Sequence, residues 1–150
     1  MPARTPRVIF LDIDGVLAPI RHWDRYGDFD PACIRVLNEI VTHADAEVVV
    51  SSTWRYGRSA DELQALLAAQ GFTGRVIDTT PIGAPGAARG DEIAAWLAAH
   101  VVDGYVIIDD HLDAGALRSH LVLTNPARGL QSADAASAIA MLMRPAQSCA

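Results

Sequence analysis

Short runs of consecutive apolar residues constrain the fold of this chain more than any other feature of its sequence. Residues 8–11, 47–51 and 105–108 each centre on adjacent Val, Ile, Leu or Phe side chains, without regular polar alternation. Such runs are typical of strands buried on both faces of a parallel sheet. Residues 75–77 and 121–124 predict two shorter, flanking strands.

Helices are predicted between these strands and after the last one. Asp30 before Pro31 is a typical helix start, because Asp caps free backbone N–H groups and Pro fits the first helical position. Ser59 and Glu62 form a capping-box pattern for a second helix, and two more apolar helical stripes follow. The alternation predicts an α/β fold: a three-layer, doubly wound (Rossmann-like) parallel sheet of about five strands.

Length and composition narrow the classes of function. The chain has 150 residues, of which 51% are hydrophobic. This length predicts a single domain over residues 1–150, with a core at about 7–143 and a tail at 144–150. A net charge of −6 argues against general binding to nucleic acid or anionic membranes. No segment resembles a signal peptide or a membrane span, so a cytoplasmic location is expected.

All 12 basic residues are Arg. The absence of Lys excludes a P-loop, which needs its Lys, and a Schiff-base mechanism, which needs an amine. Any cationic group in an active site must therefore be an Arg side chain or a metal ion.

Carboxylates follow two of the predicted buried strands. Asp12 and Asp14 come directly after the first, and Asp109 and Asp110 end the fourth. These strands are often neighbours in a doubly wound sheet, and ligands bind at the carboxyl ends of its strands. We therefore expect the carboxylates to converge, and an all-oxygen ligand set favours Mg²⁺. Each Asp taken singly also fits a solvated turn.

Two further groups have the chemistry to hold a phosphate near the same edge. Ser51 and Ser52 follow the second strand, and either hydroxyl is a candidate. Arg89 stands immediately before the third predicted helix, where its guanidinium can pair with phosphate oxygens. Each of these residues, considered alone, also fits an ordinary surface loop.

Taken in chain order, these motifs resemble the haloacid dehalogenase-like (HAD) superfamily of Mg²⁺-dependent phosphohydrolases. That pattern has an Asp-x-Asp motif, a Ser or Thr, a Lys or Arg, and an acidic pair. The chain is also similar to the HAD domain of Swiss Army Knife RNA repair proteins over about residues 7–143. The finer matches for that similarity are residues 10–17, 51–55, 89–97 and 105–110.

The resemblance implies a phosphatase that works through an aspartyl-phosphate intermediate. Asp12 would be the nucleophile and Asp14 the general acid and base. Asp12, Asp14 (through its backbone carbonyl) and Asp109 would hold Mg²⁺, and Asp110 would support the metal waters or orient the nearby Arg.

The phosphate and substrate assignments follow from the same resemblance. Ser52, in preference to Ser51, and Arg89 would hold the phosphate, and Arg55 would contact the substrate. A phosphorylated substrate is implied, with a polynucleotide end as one candidate.

Two segments bear on the substrate. Residues 16–30 and 79–88 are too short to contain the cap domains that many HAD enzymes carry there, so a capless, open site is expected. The aromatic and Arg residues at 21–29 either stack on a base or pack against the core. Trp54 either contacts the substrate or packs against the core, and His111 is either a proton shuttle or a loop residue.

Two other functions compete with a phosphatase. A receiver-like phosphoacceptor places adjacent acids after its first strand and a Lys after its fifth, whereas this chain has Asp12-x-Asp14 and no Lys. A catalytically idle HAD-like binding module is the second, although such a module has no need of a general acid at Asp14. The sequence gives no indication of the oligomeric state.

Overall fold

A parallel sheet with strand order β3-β2-β1-β4-β5 forms the centre of the computed structural model, which describes residues 5–20 and 28–144. Its strands are β1 (Arg7–Leu11), β2 (Ala46–Val50), β3 (Val76–Thr79), β4 (Gly104–Asp109) and β5 (Leu121–Leu123). The α-helices of the described ranges are α1 (Pro31–Ala44), α2 (Ala60–Ala69), α3 (Arg89–Ala99) and α4 (Ser132–Leu142). Two 3₁₀ helices are η1 (Thr53–Arg55) and η2 (Gly115–His120).

The predicted α/β order is confirmed, and so are the helix starts that depend on local capping. The Asp30 carboxylate accepts a hydrogen bond from the Ala32 N–H at 2.9 Å, which caps α1. Ser59 and Glu62 form the complete capping box of α2. These bonds satisfy backbone N–H groups that a first helical turn leaves unpaired.

Helices cover both faces of the sheet, as its continuous apolar strands require. Buried side chains of α1, α2 and α4 pack on one face. On the other face Ile93 and Trp96 of α3 pack against Phe10 of β1. In α4 the buried residues are Ala135, Ala138 and Leu142, whereas Met143 follows the helix end and is exposed.

The direction of the chain across the sheet reverses between β1 and β4. From β1 the chain moves outward through β2 to β3, then returns through α3 to β4 on the other side of β1. The crevice between the carboxyl ends of β1 and β4 is therefore the switch point. Open α/β sheets bind ligands at such a point. Asp12 follows β1 there, and Asp109 ends β4.

The segments that a cap domain would occupy are short. Residues 12–20, 28–30 and 80–88 contain no helix or strand apart from an isolated bridge between Asp14 and Ala18. Phe29 packs edge-on against Trp54, so for this aromatic side chain packing is the alternative that holds. The other aromatic and Arg residues of the 21–29 segment, at 21–27, lie outside the described residues. Among the described helices, none is long and apolar enough to cross a bilayer.

Gly15 fixes the path of the loop that follows β1. Its φ is +81°, a left-handed conformation that residues other than Gly disfavour. A Cβ atom at this position would also lie 2.3 Å from Oδ2 of Asp110. Gly15 therefore allows the loops after β1 and β4 to touch.

We expect Gly15→Ala to destabilise the protein more than Gly86→Ala. Gly86 has a matching φ of +84° but nothing within 4 Å of the position that a Cβ would take, so its substitution tests backbone strain alone, about 1–2 kcal/mol. Gly15→Ala adds the overlap with Asp110, which costs about 1–3 kcal/mol more. Urea denaturation of both variants measures the difference, and equal losses would contradict the close approach.

Candidate active site

The ends of β1 and β4 are joined by hydrogen bonds that continue the sheet into the loops. The Asp12 N–H donates to the Ile108 carbonyl at 3.0 Å, and the Thr124 N–H donates to the Asp109 carbonyl at 2.9 Å. The buried Thr124 hydroxyl donates to the Gly15 carbonyl at 2.8 Å. These bonds fix both Asp-bearing loops relative to each other.

Three of the four predicted carboxylates converge at this edge. Ligand atoms from Asp12, Asp109, Asp110 and His111 all lie within 4.8 Å of one another, and we call the three Asp side chains the acid cluster. The carboxyl groups of Asp12 and Asp109 are buried. Burial and, next, the charge of Asp109 raise the pKa of Asp12 to about 8, against the lowering effect of Arg89.

Arg89, the first residue of α3, inserts its guanidinium between two members of the acid cluster. Its Nη1 lies 2.9 Å from Oδ2 of Asp109 and 3.2 Å from Oδ1 of Asp12. Burial lowers the pKa of Arg89, but the two carboxylates outweigh this effect and raise it. Asp113 holds the helix start in place, because its Oδ2 accepts from the Arg89 N–H at 3.0 Å.

The acid cluster fits a divalent cation. Its carboxylates offer oxygen donors, the set that Mg²⁺ prefers. Burial and, next, the charge of Asp109 raise the pKa of Asp12, so added positive charge would favour its ionised form. The exposed His111 ring adds a nitrogen, but its Nδ1 contacts Asp110 Oδ1 at 2.8 Å. The cation's identity as Mg²⁺ stays a prediction.

Asp14, two residues after Asp12 and outside the acid cluster, is held through one oxygen. Its Oδ2 accepts a hydrogen bond from the Trp54 indole Nε1–H at 3.0 Å. Its Oδ1 is buried and has no hydrogen-bond partner in the described part of the chain. Trp54, left open between substrate contact and packing, thus has a polar contact that residue spacing does not reveal.

Both serine candidates at the end of β2 are buried. The Ser52 Oγ accepts a hydrogen bond from the Trp54 N–H at 3.1 Å, which caps η1 and leaves the hydroxyl proton available for donation. The Ser51 Oγ has no partner among the described residues. Ser52 is thus tied through its hydroxyl to the segment that contacts Asp14, and Ser51 is not.

Arg55 does not lie where a substrate contact requires it. Its guanidinium is 1% exposed and pairs with Glu92 at 2.9 Å. It also donates to the Thr80 carbonyl at 3.0 Å and to the Ser51 and Ser52 carbonyls at 2.9 Å. We therefore correct the expected role: Arg55 fastens the loops after β2 and β3 to α3.

Three residues that contribute to the site were not assigned a role from the sequence. Trp54, Glu92 and Asp113 act through contacts with residues distant in the chain. Glu92 offers a weak signal, since it is one of only a few Glu residues and lies on the apolar stripe that carries Ile93 and Trp96. Nothing in the sequence pairs Asp113 with the start of α3.

Fold and site together define a class: an open α/β protein with clustered carboxylates and an Arg side chain at its topological switch point. The family model for the HAD domain in Swiss Army Knife RNA repair proteins matches residues 8–135. The chain belongs to this HAD family, and its membership implies phosphohydrolase-type activity as a class. A comparison with curated proteins gives no match.

We expect Arg55→Gln to destabilise the protein by about 3–5 kcal/mol, because it leaves the Glu92 carboxylate buried without its partner. Arg35→Gln, on the exposed face of α1, is the matched control and should stay within about 0.5 kcal/mol of wild type. Chemical denaturation measures both. The double variant Arg55→Gln, Glu92→Gln should lose less than Arg55→Gln plus Glu92→Gln taken separately, and additive losses would argue against coupling.

We expect Mg²⁺ to stabilise the wild-type protein against heat. Binding at about 100 times the dissociation constant adds about 2.7 kcal/mol, which raises Tm by roughly 5–10 °C in a chain of this length. Asp109→Asn should lose most of this gain, whereas Asp103→Asn, an exposed acid at the start of β4, should keep it. Equal Mg²⁺-dependent shifts in both variants would place the cation elsewhere.

Proposed function

We propose that this protein is a Mg²⁺-dependent phosphomonoesterase that forms an aspartyl-phosphate on Asp12. One observation carries the proposal: the buried carboxylates of Asp12 and Asp109 meet at the switch point with the Arg89 guanidinium between them. The proposed nucleophile, the proposed metal site and a guanidinium that can bind phosphate thus lie within a few ångströms of each other. Such an arrangement suits phosphoryl transfer, which depends mainly on positioning and charge neutralisation.

Asp12 and Asp14 would divide the chemistry in two steps. A carboxylate oxygen of Asp12 attacks phosphorus in line with the leaving oxygen, and the bond from phosphorus to that oxygen breaks. Asp14 donates its proton to the leaving oxygen. Asp14 then takes a proton from water, whose oxygen displaces Asp12 from phosphorus and releases inorganic phosphate.

The remaining assigned residues would hold charge in place. Mg²⁺, when bound by Asp12, the Asp14 carbonyl and Asp109, would supply charge neutralisation for nucleophile and phosphate. Asp110 supports this position from the loop after β4, where it contacts Gly15. Arg89 turns its guanidinium from the carboxylates toward the equatorial phosphate oxygens, and the Ser52 hydroxyl donates to another of them.

A phosphorylated nucleic-acid end is the substrate that we propose. The matched family is named for RNA repair proteins, and no cap-sized segment separates the described strands from solvent. A net charge of −6 disfavours tight binding along a polynucleotide backbone. An enzyme that engages only the phosphorylated end is consistent with that charge. A cytoplasmic location stays a prediction.

We expect Asp12→Asn to abolish hydrolysis of an aryl phosphate in the presence of Mg²⁺, since an amide cannot attack phosphorus. EDTA should abolish wild-type turnover as well. Asp78→Asn is the matched control and should retain wild-type turnover, because Asp78 pairs with the Trp96 indole away from the acid cluster.

Each alternative function predicts a different result in the same assay. A stable phosphoprotein that does not turn over would indicate a receiver-like phosphoacceptor. An absence of both turnover and phosphoprotein, with aryl phosphate and with a 5′- or 3′-phosphorylated oligonucleotide, would indicate an idle binding module. Full activity in Asp12→Asn would remove Asp12 from the nucleophile role.

A further inference from the structure

We propose that Trp54 is a positioning residue that decides which oxygen of Asp14 carries the proton for the leaving group. This inference rests on the proposed function, because it concerns the general acid of that reaction. The observation behind it is the indole hydrogen bond to Asp14 Oδ2, which joins the loop after β2 to the loop after β1 across 40 positions of sequence.

The two oxygens of Asp14 have different surroundings. Oδ2 accepts from the Trp54 Nε1–H at 3.0 Å, and Oδ1 is buried with no partner among the described residues. An indole N–H only donates, so the oxygen that it contacts must act as an acceptor. When Asp14 is protonated, its proton therefore lies on Oδ1. No described residue competes for a proton on Oδ1.

Neighbouring contacts hold the Trp54 ring in one orientation. Its backbone N–H donates to Ser52 Oγ at 3.1 Å, and Phe29 packs edge-on with ring centroids 5.5 Å apart. The Arg58 guanidinium lies 5.3 Å from the ring centroid, and its Nη1 donates to the Trp54 carbonyl at 3.0 Å. A ring held on several sides fixes the direction of its N–H group and, through it, the Asp14 carboxyl.

The reaction step is a single proton transfer. The proton on Oδ1 of Asp14 moves to the leaving oxygen as the bond from phosphorus to that oxygen breaks, and Asp14 is left as a carboxylate. Alkoxide leaving groups need this proton, whereas p-nitrophenolate leaves readily without it. A loss of Asp14 positioning should therefore affect alkyl phosphates selectively.

The kinetic test compares kcat/KM for an alkyl phosphate, such as glycerol phosphate, with that for p-nitrophenyl phosphate. Trp54→Phe keeps a ring but removes the N–H donor. We expect it to lower kcat/KM roughly 10- to 100-fold for the alkyl ester, a part of the factor that general acids contribute, and less than about threefold for the aryl ester. Equal losses for both esters, or no loss for the alkyl ester, would overturn the proposal.

Trp96→Phe is the matched control for the kinetic test. The Trp96 indole donates to Asp78 Oδ2 at 2.8 Å, a contact of the same chemistry away from the acid cluster. Its loss should change the two kcat/KM values by the same factor, which separates a general structural effect from a leaving-group effect.

A second measurement does not depend on turnover or on the folding of the Trp54 variant. In ¹H–¹⁵N NMR spectra, Asp14→Ala should move the Trp54 indole N–H signal upfield and leave that of Trp96 in place. Asp78→Ala should do the reverse. An unmoved Trp54 signal in Asp14→Ala would overturn the proposal. If wild type hydrolyses neither ester while the signal moves, the contact stands and the proposed function fails.

Discussion

Electrostatic crowding at the switch point between β1 and β4 is the constraint on which the rest of the site depends. Parallel strands that end side by side place Asp12 and Asp109 in the same buried space, where two negative charges disfavour each other. Positive charge relieves this repulsion, and the chain supplies the Arg89 guanidinium from the start of α3. Because the fold holds these two carboxylates together, the site favours the binding of a cation.

A second set of interactions, around Arg55 and Glu92, holds the loops after β2 and β3 and the helix α3 in place relative to one another. Arg55 joins the loops after β2 and β3 through backbone carbonyls and reaches α3 through Glu92. Glu92 in turn accepts from the Gly83 N–H at 2.8 Å. The contacts of Arg55 and Glu92 therefore link the segments that carry Ser52, Trp54 and Arg89. Because a buried ion pair requires both partners, this attachment is strong only while each charge is paired.

Features fixed by short-range chemistry could be predicted from the sequence. The caps at Asp30 and Ser59, the apolar strands and the placement of acids after β1 and β4 all follow from neighbouring residues. Contacts that depend on tertiary packing could not. Arg55 was expected to contact the substrate, whereas its burial is decided by where Glu92 and the loop after β3 come to lie. The hydrogen bond between Trp54 and Asp14 could not be predicted for the same reason, since the spacing of residues in the sequence does not give the direction of their side chains.

The loop after β3 combines a fixed stem with a projecting tip. Arg55 and Glu92 hold the stem at Thr80 and Gly83, while the Ala87 N–H closes a turn back to the Ala84 carbonyl. Extra residues inserted at that turn would extend away from an anchored base and leave the spacing of the acids and Arg89 unaltered. A longer turn here would therefore change the protein surface near the start of α3 without changing the acid cluster.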